Sequence, residues 1–284
     1  MRSIIESRNR HLLRDVEQLM QAIEQRDVLD ELRPYVTQVQ SLCEWIRKQI
    51  RDNLRDISLC HDAIIEDVLS NTQQATRYLR LLSSRMVTPI LRSSPSDRLS
   101  LKFIGWLHHQ HPSTVTYPPV VTDGDCAIWP FVHICPVYFF PSTEQTILLY
   151  LPLYFHEFGH LLYACHKQEI DALVQDLQQD VEDILTPPSS RSDKHASWQR
   201  SQREMIVTTW YKWAQEFFCD AVGLAIGGPA FLWAFSTYLG NLDRGDFYRT
   251  LPELSESAHP VTWLRMKILA SRAAKLSLHY RTLF

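Results

Sequence analysis

The sequence predicts a mainly α-helical protein, with an N-terminal helical bundle or coiled-coil hairpin over 1–92 and a second helical domain over 96–284 that carries a small edge strand or sheet. Three observations point there. Glycine is scarce, 8 residues in 284 against 15 prolines, where about 7% is usual. All eight glycines fall at or after Gly105, and the first 88 residues hold a single proline, Pro34, so the N-terminal third has almost no turn material. Apolar residues in that third recur at alternating spacings of three and four, the period of a helix face.

Ser3 with Glu6 matches a capping box and predicts a helix to about Asp27, with Ile5, Leu12, Val16, Leu19 and Ile23 on its apolar stripe. Pro34 suits the first turn of a second helix. Its stripe runs through Leu32, Val36, Val39, Cys43, Ile46, Ile50 and Ile57 and on to Ile64, Val68, Ala75, Leu79 and Leu82. That is one very long helix or two with a break near Asn53. Either the helices pack on one another as an intramolecular bundle, or the stripe serves a coiled-coil dimer or a partner. The Ser/Pro segment 89–100 is the expected domain boundary, with a helix over 96–109 after it. Prolines and β-formers then mix, predicting loops with one or two short strands around 127–139. Ser142 with Gln145 reads as another capping box, opening a helix kinked near Pro152 and running past Cys165. An acidic helix covers 168–185, and 186–197 is a loop. A long helix follows from Trp198 to Ile226, ended by Gly227-Gly228-Pro229, with a further helix over 230–240. The last helix begins at Pro260.

Composition excludes several function classes. Lys plus Arg number 29 and Asp plus Glu 32, for a net charge of −3, which leaves no basic footprint for nucleic acid. The six cysteines form no C-x-x-C pair and read as reduced thiols, hence an expected cytoplasmic location. The N-terminus lacks the apolar core of a signal peptide. The apolar stretch 147–164 carries His156, Glu157 and His160, costly to bury in lipid, so a core helix and no membrane span are expected. His108, His109 and His111 stand before Pro112; a second metal site is conceivable, but the C-terminal end of an exposed helix accounts for them more simply. The helix over 168–185 bears six carboxylates and no basic residue, a solvated face or, beside a cleft, a preference for basic substrates.

The chemistry centres on His156-Glu157-Phe158-Gly159-His160, an H-E-x-x-H string. Four residues on a helix are roughly 400° of rotation and about 6 Å of rise, so both imidazoles leave one face and can share one Zn²⁺. Glu157 is then placed to take a proton from water at the metal. The competing reading is a buried, hydrogen-bonded polar cluster without metal. A catalytic zinc needs a third protein ligand and an open position. Glu216 and Asp220, again four apart on an apolar helix, supply a candidate ligand and a carboxylate to accept the free N–H of a ligating histidine; the plain alternative is a polar stripe.

H-E-x-x-H followed by E-x-x-x-D resembles the pattern of gluzincin metallopeptidases, in particular the group of the prenyl-protein processing protease, the bacterial heat-shock membrane protease and their soluble relatives. That group also carries an S/T-H-P element with an arginine six residues after the histidine; here Ser257-Ala258-His259-Pro260 precedes Arg265 at the same offset. The resemblance spans about 140–270. It implies a helical zincin-like catalytic domain with one zinc per chain on His156, His160 and Glu216. Glu157 would be the general base, His259 would stabilise the tetrahedral intermediate, and Arg265 would stand behind a ligand or beside the oxyanion. The substrate would be a protein or peptide, laid along an edge strand within 127–139. The alternative from another class is a catalytically silent or latent zinc-stabilised scaffold that binds a protein partner, or a second copy, through the N-terminal helices.

Overall fold

The computed structural model describes residues 2–59, 65–130, 135–185, 196–241 and 259–281. Its mainly helical architecture with one small sheet is the expected fold class. By Cα proximity the chain divides into two compact units, Met1–Thr146 and Ile147–Phe284.

In the first unit, α1 (Arg2–Glu24), α2 (Arg33–Ser58) and α3 (Ile65–Leu81) pack on one another. The expected stripe is their shared core: Ile5, Leu12, Val16 and Ile23 of α1 meet Val36, Val39, Cys43, Ile46, Ile50 and Ile57 of α2, and Val68, Ala75 and Leu79 of α3. Two local expectations need correcting. Ser3 lies inside the first turn of α1, which already begins at Arg2, and Glu6 pairs with Arg10 at 2.5 Å. No break occurs at Asn53, which sits inside α2 at 2% exposure. Its amide donates to Asn9 Oδ1 at 3.2 Å, and Asn9 donates to Thr72 Oγ1 at 2.8 Å, so one polar residue from each helix is satisfied across the bundle axis. The helix ends instead at Ser58. A π-helical turn over Leu82–Met86 carries α3 into α4 (Val87–Arg92).

The Ser/Pro segment is not the boundary between the units. It folds into a short turn, Pro95–Asp97, where the Ser94 N–H donates to Asp97 Oδ2 at 2.7 Å. The elements on either side, α4 and α5 (Arg98–His109), both pack on the sheet. That sheet has the order β1-β3-β2, with β1 (Val120–Thr122) parallel to β3 (Val137–Phe139) and β2 (Ala127–Trp129) antiparallel to it. Residues 127–139 thus hold the central strand and one edge, and the sequence missed β1. Residues 131–134, with His133, lie outside the described ones. His108 is not at an exposed helix end. It is 2% exposed, its Nδ1 donates to the Tyr117 carbonyl at 3.1 Å, and its Nε2 accepts from the Tyr138 hydroxyl at 2.8 Å.

In the second unit, α6 (Leu153–Cys165), α7 (Lys167–Leu185) and α9 (Thr262–Arg281) each pack on α8 (Ala196–Asn241). Ser142 and Gln145 open no helix. The Gln145 amide donates to the Phe140 carbonyl and the Ser142 N–H to Asp123, and α6 begins behind Pro152, which starts it rather than kinking it. The expected stop at Gly227-Gly228-Pro229 is a sharp break: Gly228 takes φ 54°, a conformation other residues resist. Gln202–Asn241 is long and apolar enough to cross a membrane by length and composition, a property it shares with core helices. Residues 186–195, most of the expected loop, lie outside the described ones. The described cysteines are all free thiols.

Candidate metal centre

Almost every side chain of α6 from Leu153 to Phe158 is buried, so the helix has no outer face on which to leave its polar residues. His156 and Glu157 are therefore interior, at 6% and 5% exposure, and His160 is half-buried. One helical turn separates the two imidazoles, whose centroids are 5.1 Å apart with planes at 87°. Gly159, between them, is where α6 crosses α8. A Cβ there would stand 2.7 Å from the Cys219 Cα, so only a residue without a side chain lets the backbones meet this closely.

That crossing delivers Glu216 and Asp220 to the histidines. Glu216 spans both, with Oε2 3.4 Å from His156 Nε2 and Oε1 3.5 Å from His160 Nε2. Asp220 takes the other side of the first imidazole, its Oδ1 2.9 Å from His156 Nδ1. From the start of α9, Arg265 donates to both carboxylate oxygens of Asp220, at 2.7 and 2.9 Å, and its Nη2 lies 3.4 Å from Glu216 Oε2. His259, its side chain 55% exposed, brings Nε2 to 3.7 Å from the same Glu216 oxygen. Every described residue that the sequence singled out for this site is thus in one place; Ser257 and Ala258 of the S/T-H-P element lie outside the described residues.

Burial and charge act against each other here. Burial alone would depress the His156 pKa, but the Asp220 and Glu216 carboxylates outweigh it and hold the ring at about 9. Glu216 is the mirror case: burial favours its neutral form, yet the His156 and His160 rings and Arg265 hold it down at about 2. Asp220 also stays below its ordinary value despite burial, through the Arg265 guanidinium. Burial lowers His160 and His259 below the ordinary imidazole value.

Comparison of the chain with protein-family models, with curated proteins and with solved structures finds no match. What the site can do therefore rests on its own atoms. His156, His160 and Glu216 each offer a donor, all within 4.8 Å of one another, a cluster that can hold a metal ion. The contacts of 3.4 and 3.5 Å are too long for hydrogen bonds. They are taken by different oxygens of Glu216, Oε2 toward His156 and Oε1 toward His160, and each is a spacing that two donors to one cation can have. Glu216 Oε2 is buried and accepts no hydrogen bond from the described residues. The donor set, two imidazoles and a carboxylate, fits a metal ion.

Sequence reasoning missed one neighbour. Phe235 stacks on His156 with centroids 5.5 Å apart and planes at 24°. It lies beyond the Gly228 break, in a run of apolar residues that no spacing rule distinguishes.

Proposed function

We propose that the chain is a zinc-dependent peptidase that hydrolyses peptide bonds in a protein or peptide substrate within the cytoplasm, with one zinc on His156, His160 and Glu216. The observation that carries this reading is the convergence of those three donors within 4.8 Å of one another, with Glu157 on the same helix beside the two histidines. Two imidazoles and one carboxylate are a donor set typical of catalytic zinc, which keeps a fourth position for water or substrate. Bound there, the ion would act as a Lewis acid toward the scissile carbonyl and would acidify water.

The protein's own groups do the rest. Glu157 takes the proton of the attacking water and returns it to the leaving amine, a transfer from a carboxylate that has no duty as a ligand. Its charge reaches His156 and His160, so it lies close to the reacting centre. Asp220 holds the Nδ1 side of His156 and so aims Nε2. Arg265 is 5% exposed and gives two donors to Asp220; its part is to hold that carboxylate ionised and in place, rather than to meet the substrate. His259, on the solvent side of the cluster, is the group available to donate to the oxygen that gains charge during attack.

The test is hydrolysis of a peptide library by zinc-loaded wild type and zinc-loaded Glu157→Gln. Wild type cleaves and the variant, with zinc retained, loses on the order of 10²–10⁴-fold in rate. Undiminished hydrolysis by the variant overturns the assignment of Glu157. Zinc without cleavage by either protein favours the scaffold role.

A further inference from the structure

We infer that Phe235 is a positioning residue for the metal ligand His156, an inference that rests on reading His156, His160 and Glu216 as a metal site. Phe235 is 2% exposed and touches three groups. Its ring stacks on His156 at 5.5 Å and on Phe231 at 5.0 Å, with interplanar angles of 24° and 18°. The Arg265 guanidinium carbon lies 4.6 Å from its centroid. The electron-rich face of a phenyl ring attracts that cation. One side chain therefore contacts both the ligand and the arginine that holds the ligand's carboxylate partner.

The imidazole needs this third restraint. The torsion that turns a histidine ring about its Cβ–Cγ bond has a broad well, so a contact at Nδ1 leaves the ring free to rock and swings Nε2 out of line. Asp220 fixes the Nδ1 edge and Glu216 faces the Nε2 edge; the stacked ring of Phe235 fixes the plane. Its supply depends on the break at Gly228, where α8 kinks. Phe231 then packs where a Cβ on Gly223 would stand, 2.4 Å from its ring, and stacks in turn on Phe235.

The experiment measures zinc affinity by competition with a chelator for the full chain and four variants, with the unfolding midpoint of each metal-free protein alongside. Phe235→Met and Phe235→Leu remove the ring, Phe235→Tyr keeps it, and Phe231→Leu disturbs the same stack without touching His156. Loss of the ring at 235 is expected to weaken zinc binding ten- to a hundred-fold, about the effect of removing other groups that orient a metal ligand. Phe235→Tyr recovers most of that loss. Phe231→Leu lowers the unfolding midpoint while affinity stays near wild type. With cobalt(II) in place of zinc, the ligand-field absorption of the Phe235→Met protein shifts and that of Phe231→Leu does not. Wild-type affinity in Phe235→Met and Phe235→Leu, or an equal loss in Phe231→Leu, overturns the inference and leaves the metal site standing. A wild-type chain that binds no zinc overturns both.

Discussion

His156 shows how a few contacts decide the chemistry of one side chain. Its ring lies between two carboxylates in a region with little water, and those carboxylates are in turn held by Arg265. Asp220 and Arg265 are each at most 5% exposed and form a two-point pair. Removal of one partner strands the other as a buried charge. Arg265→Leu should therefore cost about 3–5 kcal/mol of stability, read from urea unfolding; a cost near zero would mean that Asp220 is solvated in a way its burial does not suggest. Asp220→Asn is milder, leaves a similar shape, and should lower zinc affinity about ten- to a hundred-fold, read by chelator competition. At this scale much was legible. H-E-x-x-H and E-x-x-x-D announce themselves because four residues on a helix share a face, a fact of local geometry. The direction in which Arg265 points was not legible, since the resemblance allowed either a ligand's partner or the substrate, and only the fold places it on Asp220. Phe235 left no signal, because one phenylalanine among many becomes special only through the kink at Gly228.

Elements meet at this site because a glycine removes an obstacle. At Gly159 the obstacle would be backbone on backbone, a Cβ 2.7 Å from the Cys219 Cα, and no rotamer change relieves it. Gly159→Ala should force α6 and α8 apart, with a loss of about 1–3 kcal/mol in stability and weaker zinc binding, since Glu216 and Asp220 ride on the displaced helix. An alanine variant with wild-type stability and affinity would show that the helices do not cross so closely. In the N-terminal bundle the polar cluster of Asn9, Asn53 and Thr72 plays the comparable part. Asn53→Ala should cost about 1–3 kcal/mol, because it strips Asn9 of a buried partner; thermal unfolding measures it. The helices themselves were legible from spacing alone, down to the stripe of Val36, Val39, Cys43, Ile46 and Ile50. The helix end at Ser58 was not: 34–86 read either as one long helix or as two with a break near Asn53, and a lone asparagine looks like a helix stop until Asn9 and Thr72 arrive from elsewhere in the chain. Ser142 and Gln145 misled for a related reason: a capping sequence is a short pattern, and tertiary hydrogen bonds to Asp123 and Phe140 used its groups first.

At the scale of the whole molecule, composition pointed to two parts, and two compact units are present, but the division falls at 146–147 rather than in the Ser/Pro segment. A boundary is set by which surfaces pack together, and α5 and the sheet pack with the elements before them. Stability of the full chain should carry the mark of His108 in the first unit. Burial holds its pKa at about 4 against an ordinary 6.5, because the charged ring would lose its hydration. The unfolded chain binds that proton more readily, so the stabilisation is complete above pH 6.5 and disappears as pH falls toward 4. The loss amounts to about 3 kcal/mol over that window. Urea unfolding from pH 7 to pH 4 should show it, with a shallower decline in His108→Gln; matching profiles for the two proteins would exclude the effect.

The metal itself admits the most direct test. Purified wild type and Glu216→Ala, freed of loose ions by gel filtration, can be compared for zinc per chain by mass spectrometry. One zinc per wild-type chain and next to none in Glu216→Ala is the expected result; equal zinc in both, or none in wild type, would contradict a metal centre on His156, His160 and Glu216.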